Sequence, residues 1–175
     1  MEIIISVAMA RNRVIGRDNA LPWASAADMA DFRKADLGRF REMTTGFPCV
    51  MGRRTWDSLP RRPLPGRPNI VISRSLADIR GATVLGSLPE AIRHCGDGGH
   101  GKIFVCGGAA LYREALAVAD RIELTLIHRE FDGDVFFPEI DPGLWQKTGA
   151  TDLDGFSFIG YSRVYITDQG DTDTR

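Results

Sequence analysis

The sequence is poor in cysteine and histidine, carries almost no net charge and contains no long apolar run. Its three cysteines, Cys49, Cys95 and Cys106, are odd in number and show no Cys-x-x-Cys spacing, which argues against a disulfide framework and against a zinc site. His94, His100 and His128 are scattered, so no metal is expected. Unpaired thiols point to a reducing compartment. No apolar segment approaches the roughly 20 residues that a membrane span needs. No basic stretch precedes the short apolar run at the N-terminus, unlike a secretory signal. A cytoplasmic protein without a membrane partner is expected. The formal net charge of −1 leaves no global field to attract nucleic acid, and the arginine-rich stretch has no interleaved aromatics.

What is present is an ordinary globular composition, 43% hydrophobic and 26% charged, in 175 residues. That length suits one domain with a sizeable core. Ile3–Met9, Cys49–Met51, Ile70–Ile72, Thr83–Leu85 and Ile103–Cys106 read as short buried strands, and Arg121–His128 alternates as a strand does. Helices are expected from about Ser25, after Gly52, over Leu88–His94 and after Gly108. Phe156–Thr167 supplies one or two closing strands, antiparallel to the rest. Strands alternating with helices indicate an α/β domain built on a mostly parallel sheet covered on both faces. It is expected over residues 1–167, with 168–175 a polar, acidic tail and a monomer as the assembly.

One local repeat interrupts this order. Ala27-Asp28-Met29-Ala30-Asp31-Phe32-Arg33-Lys34 is followed at once by Ala35-Asp36-Leu37-Gly38-Arg39-Phe40-Arg41-Glu42. Eight residues are too few for a solenoid unit, so this reads as a tandem duplication within one helical region. Ser25 and Asp28 have the spacing of a capping box, which starts the helix at the first copy.

Two features suit an anionic ligand. Gly107-Gly108 joins a strand to a helix, where backbone can approach a phosphate and the helix offers free amides. There is no GxGxxG. Arg53-Arg54-Thr55 and Ser73-Arg74 each follow a strand, within a basic stretch that also holds Arg61, Arg62 and Arg67. Arginines at two strand ends could hold a pyrophosphate and a ribose phosphate, favouring NADPH over NADH. A solvated surface face explains the same arginines.

These pieces occur together in one family. Val14-Ile-Gly16…Leu21-Pro-Trp23, the Asp-x-x-x-Phe-Arg element, Val50-Met-Gly-Arg-Arg-Thr-Trp-Asp-Ser58, Pro63-Leu-Pro-Gly-Arg67, Val105-Cys-Gly-Gly108…Tyr112 and Phe131-Asp-Gly-Asp134…Phe137-Pro138 run in order along the chain. The sequence strongly resembles dihydrofolate reductase. The resemblance implies an eight-stranded sheet, NADPH across the strand ends, and reduction of 7,8-dihydrofolate to tetrahydrofolate. Hydride would go to C6, with N5 protonation promoted by a buried aspartate. Antifolates are implied as inhibitors.

The resemblance also implies site residues. Arg67 would pair with the substrate α-carboxylate, and Met29 or Leu37, Phe32 or Phe40, Leu59 and Leu64 would sandwich its rings. Ser6, Val7, Ala8, Leu21, Cys106 and Tyr112 would complete the substrate pocket. Val14–Leu21 would be the closing loop, bringing Ile15, Gly16, Asn19 and Leu21 to the cofactor. Ala8, Gly52, Arg53, Arg54, Thr55, Ser73 and Arg74 would bind the cofactor on one side. Gly107, Gly108, Ala109, Leu111 and Tyr112 would bind it on the other, with the Gly107-Gly108 peptide cis. Trp23 would hold an ordered water, and Thr125 would hydrogen-bond the pocket carboxylate.

The duplication leaves two candidates for that carboxylate. Asp36 keeps the downstream spacing to Val50-Met51-Gly52, whereas Asp28 keeps the upstream spacing from Trp23 and owns the capping signal. Asp28 is preferred, with Gly38 ending the helix and Arg39–Gly46 an added loop. Ser6 and Cys106 stand where the family usually has aliphatic residues, which predicts reduced sensitivity to diaminopyrimidine antifolates, including trimethoprim. The enzyme alternative is the related pyrimidine reductase of riboflavin synthesis, which should lack Arg67 and the Leu-Pro-Trp23 loop. The non-enzyme alternative is a pterin- or NADPH-binding module without turnover.

Overall fold

In the computed structural model, which describes residues 1–75, 77–166 and 172–174, the chain alternates strands and helices as its periodicity requires. The first half contains β1 (Glu2–Ala10), β2 (Val14–Gly16), α1 (Ala30–Thr44), β3 (Cys49–Gly52), α2 (Arg53–Ser58), β4 (Asn69–Ile72) and β5 (Thr83–Leu85). The second contains α3 (Leu88–Asp97), β6 (Lys102–Val105), α4 (Ala109–Ala115), β7 (Arg121–Ile127), β8 (Val135–Phe136), β9 (Trp145–Leu153), β10 (Phe156–Ile166) and β11 (Thr172–Thr174). No helix among the described residues is long and apolar enough to cross a membrane.

The sheet runs β10-β7-β1-β6-β3-β4-β5. Every neighbouring pair from β7 to β5 is parallel, and β10 is antiparallel to β7. Beyond β10 the outer position is shared. Strand β9 pairs with Phe156–Arg163, and β11 with Val164–Ile166. The sheet is therefore eight strand positions wide, mostly parallel, with an antiparallel C-terminal end. Of the expected tail, only Thr172–Thr174 falls among the described residues.

Period two decides which face each side chain joins. Ile3, Ile5, Val7 and Met9 of β1 enter one core cluster with Val50, Ile103, Val105, Ile122 and Leu124, covered by Leu88, Ala91 and Cys95 of α3 and Leu111 and Ala115 of α4. Ile4 of β1 faces the other way with Cys49, Met51 and Phe104. Because both faces are covered, these strands read as continuous apolar runs rather than alternating ones. Strand β9 gave no such signal: after Trp145 all its residues are exposed, so no hydrophobic pattern marks it.

The helix of the repeat departs from expectation. The Ser25 capping box does not form. A single 3₁₀ turn spans Ala27–Met29 without a side-chain cap, and α1 starts at Ala30. The Arg33 guanidinium instead donates to the carbonyl oxygens of Trp23 (3.1 Å) and Ala26 (2.6 Å), fastening the chain entering the helix. Nor does Gly38 end the helix. Residues 39–44, expected as part of an added loop, are its last turns. An interior glycine costs about 1 kcal/mol relative to alanine. Burial of Phe32 and the packing of Ala35, Phe40 and Met43 against the core run through the whole segment and hold it helical.

Candidate active site

The two copies of the repeat end in different surroundings. Asp28, the preferred candidate, is not buried. Its side chain is 68% exposed and its carboxylate takes a hydrogen bond of 2.7 Å from Arg129. Met29 and Phe32 of the same copy enter a cluster with Trp23 and Phe156. Trp23 is 1% exposed, its ring edge-on to those of Phe32 and Phe131. The first copy thus anchors the helix and supplies no pocket carboxylate. The reason is helical phase: α1 begins only at Ala30, so Asp28 lies in the preceding turn and faces outward.

Asp36, in the second copy, turns to the sheet. It is half-buried, and its carboxylate faces the Thr125 hydroxyl, whose interaction with it favours the ionised form. Burial raises its carboxyl above the ordinary 3.8; the Thr125 hydroxyl and the Arg39 charge oppose this without cancelling it. Thr125 is buried on β7, level with Ala8 of β1 and Phe158 of β10. Phe40, one turn beyond Asp36, packs with Leu59 and Leu64 against the core, and the Arg67 guanidinium lies 5.9 Å from its ring. Leu37 is left 61% exposed. Of the paired alternatives for the ring sandwich, Leu37 and Phe40 accompany the inward carboxylate. Met29 and Phe32 do not.

Arg67 is held in one orientation. Its Nε donates to the Pro65 carbonyl (3.0 Å), Nη1 to the Thr44 hydroxyl, and Nη2 reaches the Thr45 hydroxyl at 3.4 Å. Asn69 braces the same turn, donating to the carbonyls of Leu64 and Arg67 and accepting from the Leu64 amide. A guanidinium fixed at the stem presents its fork without further loss of freedom.

Beyond Arg67, the ends of β3 and β6 close on each other. The Gly52 amide donates to the Gly107 carbonyl at 2.7 Å. Gly107 has φ +107°, and a Cβ there would stand 3.1 Å from the Tyr112 hydroxyl. A Cβ on Gly108 would stand 3.4 Å from Thr55 Oγ1. The Gly107-Gly108 peptide is cis. Tyr112 is buried, its phenol pushed well above its usual value, chiefly by burial, and its hydroxyl donates to the Ser6 carbonyl at 2.8 Å. Val7 turns its side chain into the core on the sheet face opposite Ala8. The side chain of Cys106 is half-buried, its thiol directed to the Phe104 carbonyl at 3.6 Å.

The arginines divide by partner. Arg53 is engaged with Asp57 at 2.6 Å, and Arg62 shares that carboxylate at 3.0 Å. Arg54 and Arg74 are exposed and have no ion-pair partner among the described residues. The loop expected to close over the cleft bears a tight turn at Arg17–Ala20, with Asp18 and Asn19 both in the left-handed region. Its strand β2 pairs with β8, and the Asp134 amide donates to the Gly16 carbonyl at 3.1 Å.

Comparison with known proteins accounts for this assembly. Residues 2–158 match the dihydrofolate reductase family. The chain belongs to the dihydrofolate reductase family. It is 42% identical to dihydrofolate reductase of Bacillus subtilis over 140 residues, covering 79% of this chain and 77% of that one. It is 40% identical to the Neisseria gonorrhoeae enzyme over 154 residues, covering 87% and 88%. It is also 40% identical to a type 3 dihydrofolate reductase of Salmonella typhimurium over 148 residues, covering 84% and 85%. Membership of this family replaces the riboflavin-pathway alternative.

What sequence reasoning missed was the pair formed by Arg39 and Glu123, 2.6 Å apart beside Asp36 and Thr125. The available signal was a charged residue two positions before Thr125, on the same face of the strand.

Proposed function

We propose that the reduction of dihydrofolate, which family membership assigns to this chain, uses NADPH and is promoted by Asp36. The observation that carries this reading is the inward, half-buried carboxylate of Asp36 on the Thr125 hydroxyl, its protonation favoured by burial. Asp28 instead lies exposed in an ion pair with Arg129.

The residues present fit a dinucleotide. Glycines stand where a Cβ would crowd Tyr112 or Thr55, and Arg54 and Arg74 are free to meet phosphate. Arg54 would hold the extra ribose phosphate that distinguishes NADPH from NADH, with Arg74, Thr55 and Ser73 around it. When bound, NADPH supplies the hydride.

The protein's own part is positioning and proton management. Arg67 binds the substrate α-carboxylate through its fork, and Leu59, Leu64, Leu37 and Phe40 flank the rings. Asp36 binds the amide-like edge of the pterin. A carboxylate with raised proton affinity favours the protonated substrate, so N5 gains its proton, delivered through water, as C6 accepts hydride. Thr125 fixes the carboxylate rotamer. Loop 14–21, tied to β8, excludes water from the reacting edge. Cys106 and Ser6, at the pocket wall, lower affinity for diaminopyrimidine antifolates.

The deciding experiment compares Asp36→Asn with Asp28→Asn in NADPH-dependent dihydrofolate reduction. Asp36→Asn is expected to lose at least about a hundredfold in rate, and Asp28→Asn to stay within a fewfold of the parent. Loss of turnover in Asp28→Asn with turnover kept in Asp36→Asn would overturn the assignment.

A further inference from the structure

Helix α1 meets the sheet through two adjacent rungs. Asp36 and Arg39 are three residues apart, and so lie side by side on one helix face. Glu123 and Thr125 are two apart on β7, and so project from one face of the sheet. Asp36 takes the Thr125 rung. Arg39 takes the other, its Nη2 2.6 Å from Glu123 Oε2, with its guanidinium 4.5 Å over the Phe158 ring. Phe158 is itself the β10 partner of Thr125, so one aromatic ring underlies both rungs. This is no loose surface pair: the Arg39 side chain is 20% exposed and that of Glu123 11%. Behind it, Arg121 also reaches Glu123 and stands 3.7 Å from Glu2.

We propose that Arg39 and Glu123 form a positioning pair that sets the charge balance at Asp36 and thereby the pH range in which the enzyme transfers hydride. The proposal rests on the reading of Asp36 given above. The titratable or charged groups facing Asp36 among the described residues are Arg39 from its own helix, the Thr125 hydroxyl from β7 and the Tyr112 phenol from α4. Arg39 is the cation of this set, and Glu123 offsets part of its field. Arg39 supports the ionised form of Asp36 in opposition to burial. Glu123 does the reverse, by pulling the guanidinium toward β7 and by its own negative charge.

The two halves of the ion pair therefore act in opposite directions on a third group. Removing the Arg39 charge leaves Glu123 closer to uncompensated, and Asp36 holds its proton to higher pH. Removing the Glu123 charge leaves Arg39 unopposed, and Asp36 gives up its proton at lower pH. A purely structural pair would behave otherwise, since loss of either member would loosen the helix in the same way.

The test is the pH profile of single-turnover hydride transfer with NADPH and dihydrofolate for Arg39→Gln, Glu123→Gln, the double variant, Arg39→Lys and Asp36→Asn. Arg39→Gln is expected to move the midpoint up, and Glu123→Gln to move it down, each on the order of one pH unit. The double variant and Arg39→Lys should return toward the parent midpoint. Midpoints that move the same way in the two single variants, or do not move, overturn the proposal. If Asp36→Asn keeps the parent profile, the reading of Asp36 fails instead. Should Arg39→Gln fail to fold by near-ultraviolet circular dichroism, Glu123→Gln and Arg39→Lys decide the matter: an unmoved or raised Glu123→Gln midpoint overturns it.

Discussion

The Asp36 carboxylate and the Thr125 hydroxyl face each other across the junction of α1 and β7, joining residues 89 positions apart in sequence. This contact fixes a single phase for the helix. It also puts a carboxylate where burial acts against its ionised form, at a cost to the folded state.

That cost is measurable. In the unfolded chain Asp36 has the ordinary value of 3.8, and burial raises it in the fold. Between those values the native state holds the extra proton, so stability falls as pH rises through that window. Asp36→Asn removes the effect and can still accept from Thr125. It is expected to raise Tm at neutral pH while removing turnover, and the gain should shrink as pH is lowered toward 3.8. Thermal melts of parent and variant across pH check this.

Gly133 admits no side chain. A Cβ there would lie 2.2 Å from Val14 Cγ1 and 2.6 Å from the Gly16 carbonyl oxygen. Gly133→Val must push apart β2 and β8, which flank the turn at Arg17–Ala20. A loss of about 1–3 kcal/mol in stability is expected, with slower hydride transfer. Denaturant unfolding and single-turnover kinetics give the two readings.

Arg67→Lys retains charge but not the fork, and it cannot satisfy the Thr44 and Thr45 hydroxyls together with a ligand. KM for dihydrofolate is expected to rise on the order of tenfold or more, with kcat little changed. Steady-state kinetics with dihydrofolate varied at saturating NADPH test it.

Arg54, exposed beside its ion-paired neighbour Arg53, has no ion-pair partner among the described residues, and the proposed cofactor reading gives it the ribose phosphate. Arg54→Ala is expected to raise KM for NADPH about ten- to hundredfold and to leave the weaker use of NADH unchanged, narrowing the preference between them. Parallel titrations with the two nucleotides check this. Equal losses for both would place Arg54 away from the distinguishing phosphate.

Much of this architecture was legible in the residues. Buried parallel strands are short apolar runs whatever their neighbours, and Ile3–Met9, Ile70–Ile72 and Ile103–Cys106 announced themselves so. The glycines after β6 are a local signal with a local cause. Strand β9 was not legible, because after Trp145 both its faces are exposed and no apolar pattern is required.

The sequence by itself determined the α/β alternation, the glycine-lined junction at residues 107–108, the arginine-bearing strand ends and the presence of one inward aspartate among two. Only the tertiary structure decided which one. Asp28 and Asp36 sit in copies that match at Ala, Asp, Phe and Arg, so local preference cannot separate them. What separates them is distant: Arg129, 101 residues away, holds Asp28 in solvent, and Thr125 receives Asp36. Helical phase is set by the sum of such long-range contacts. A capping signal worth about 1 kcal/mol yields to the burial of Phe32 and the packing of Phe40 and Met43.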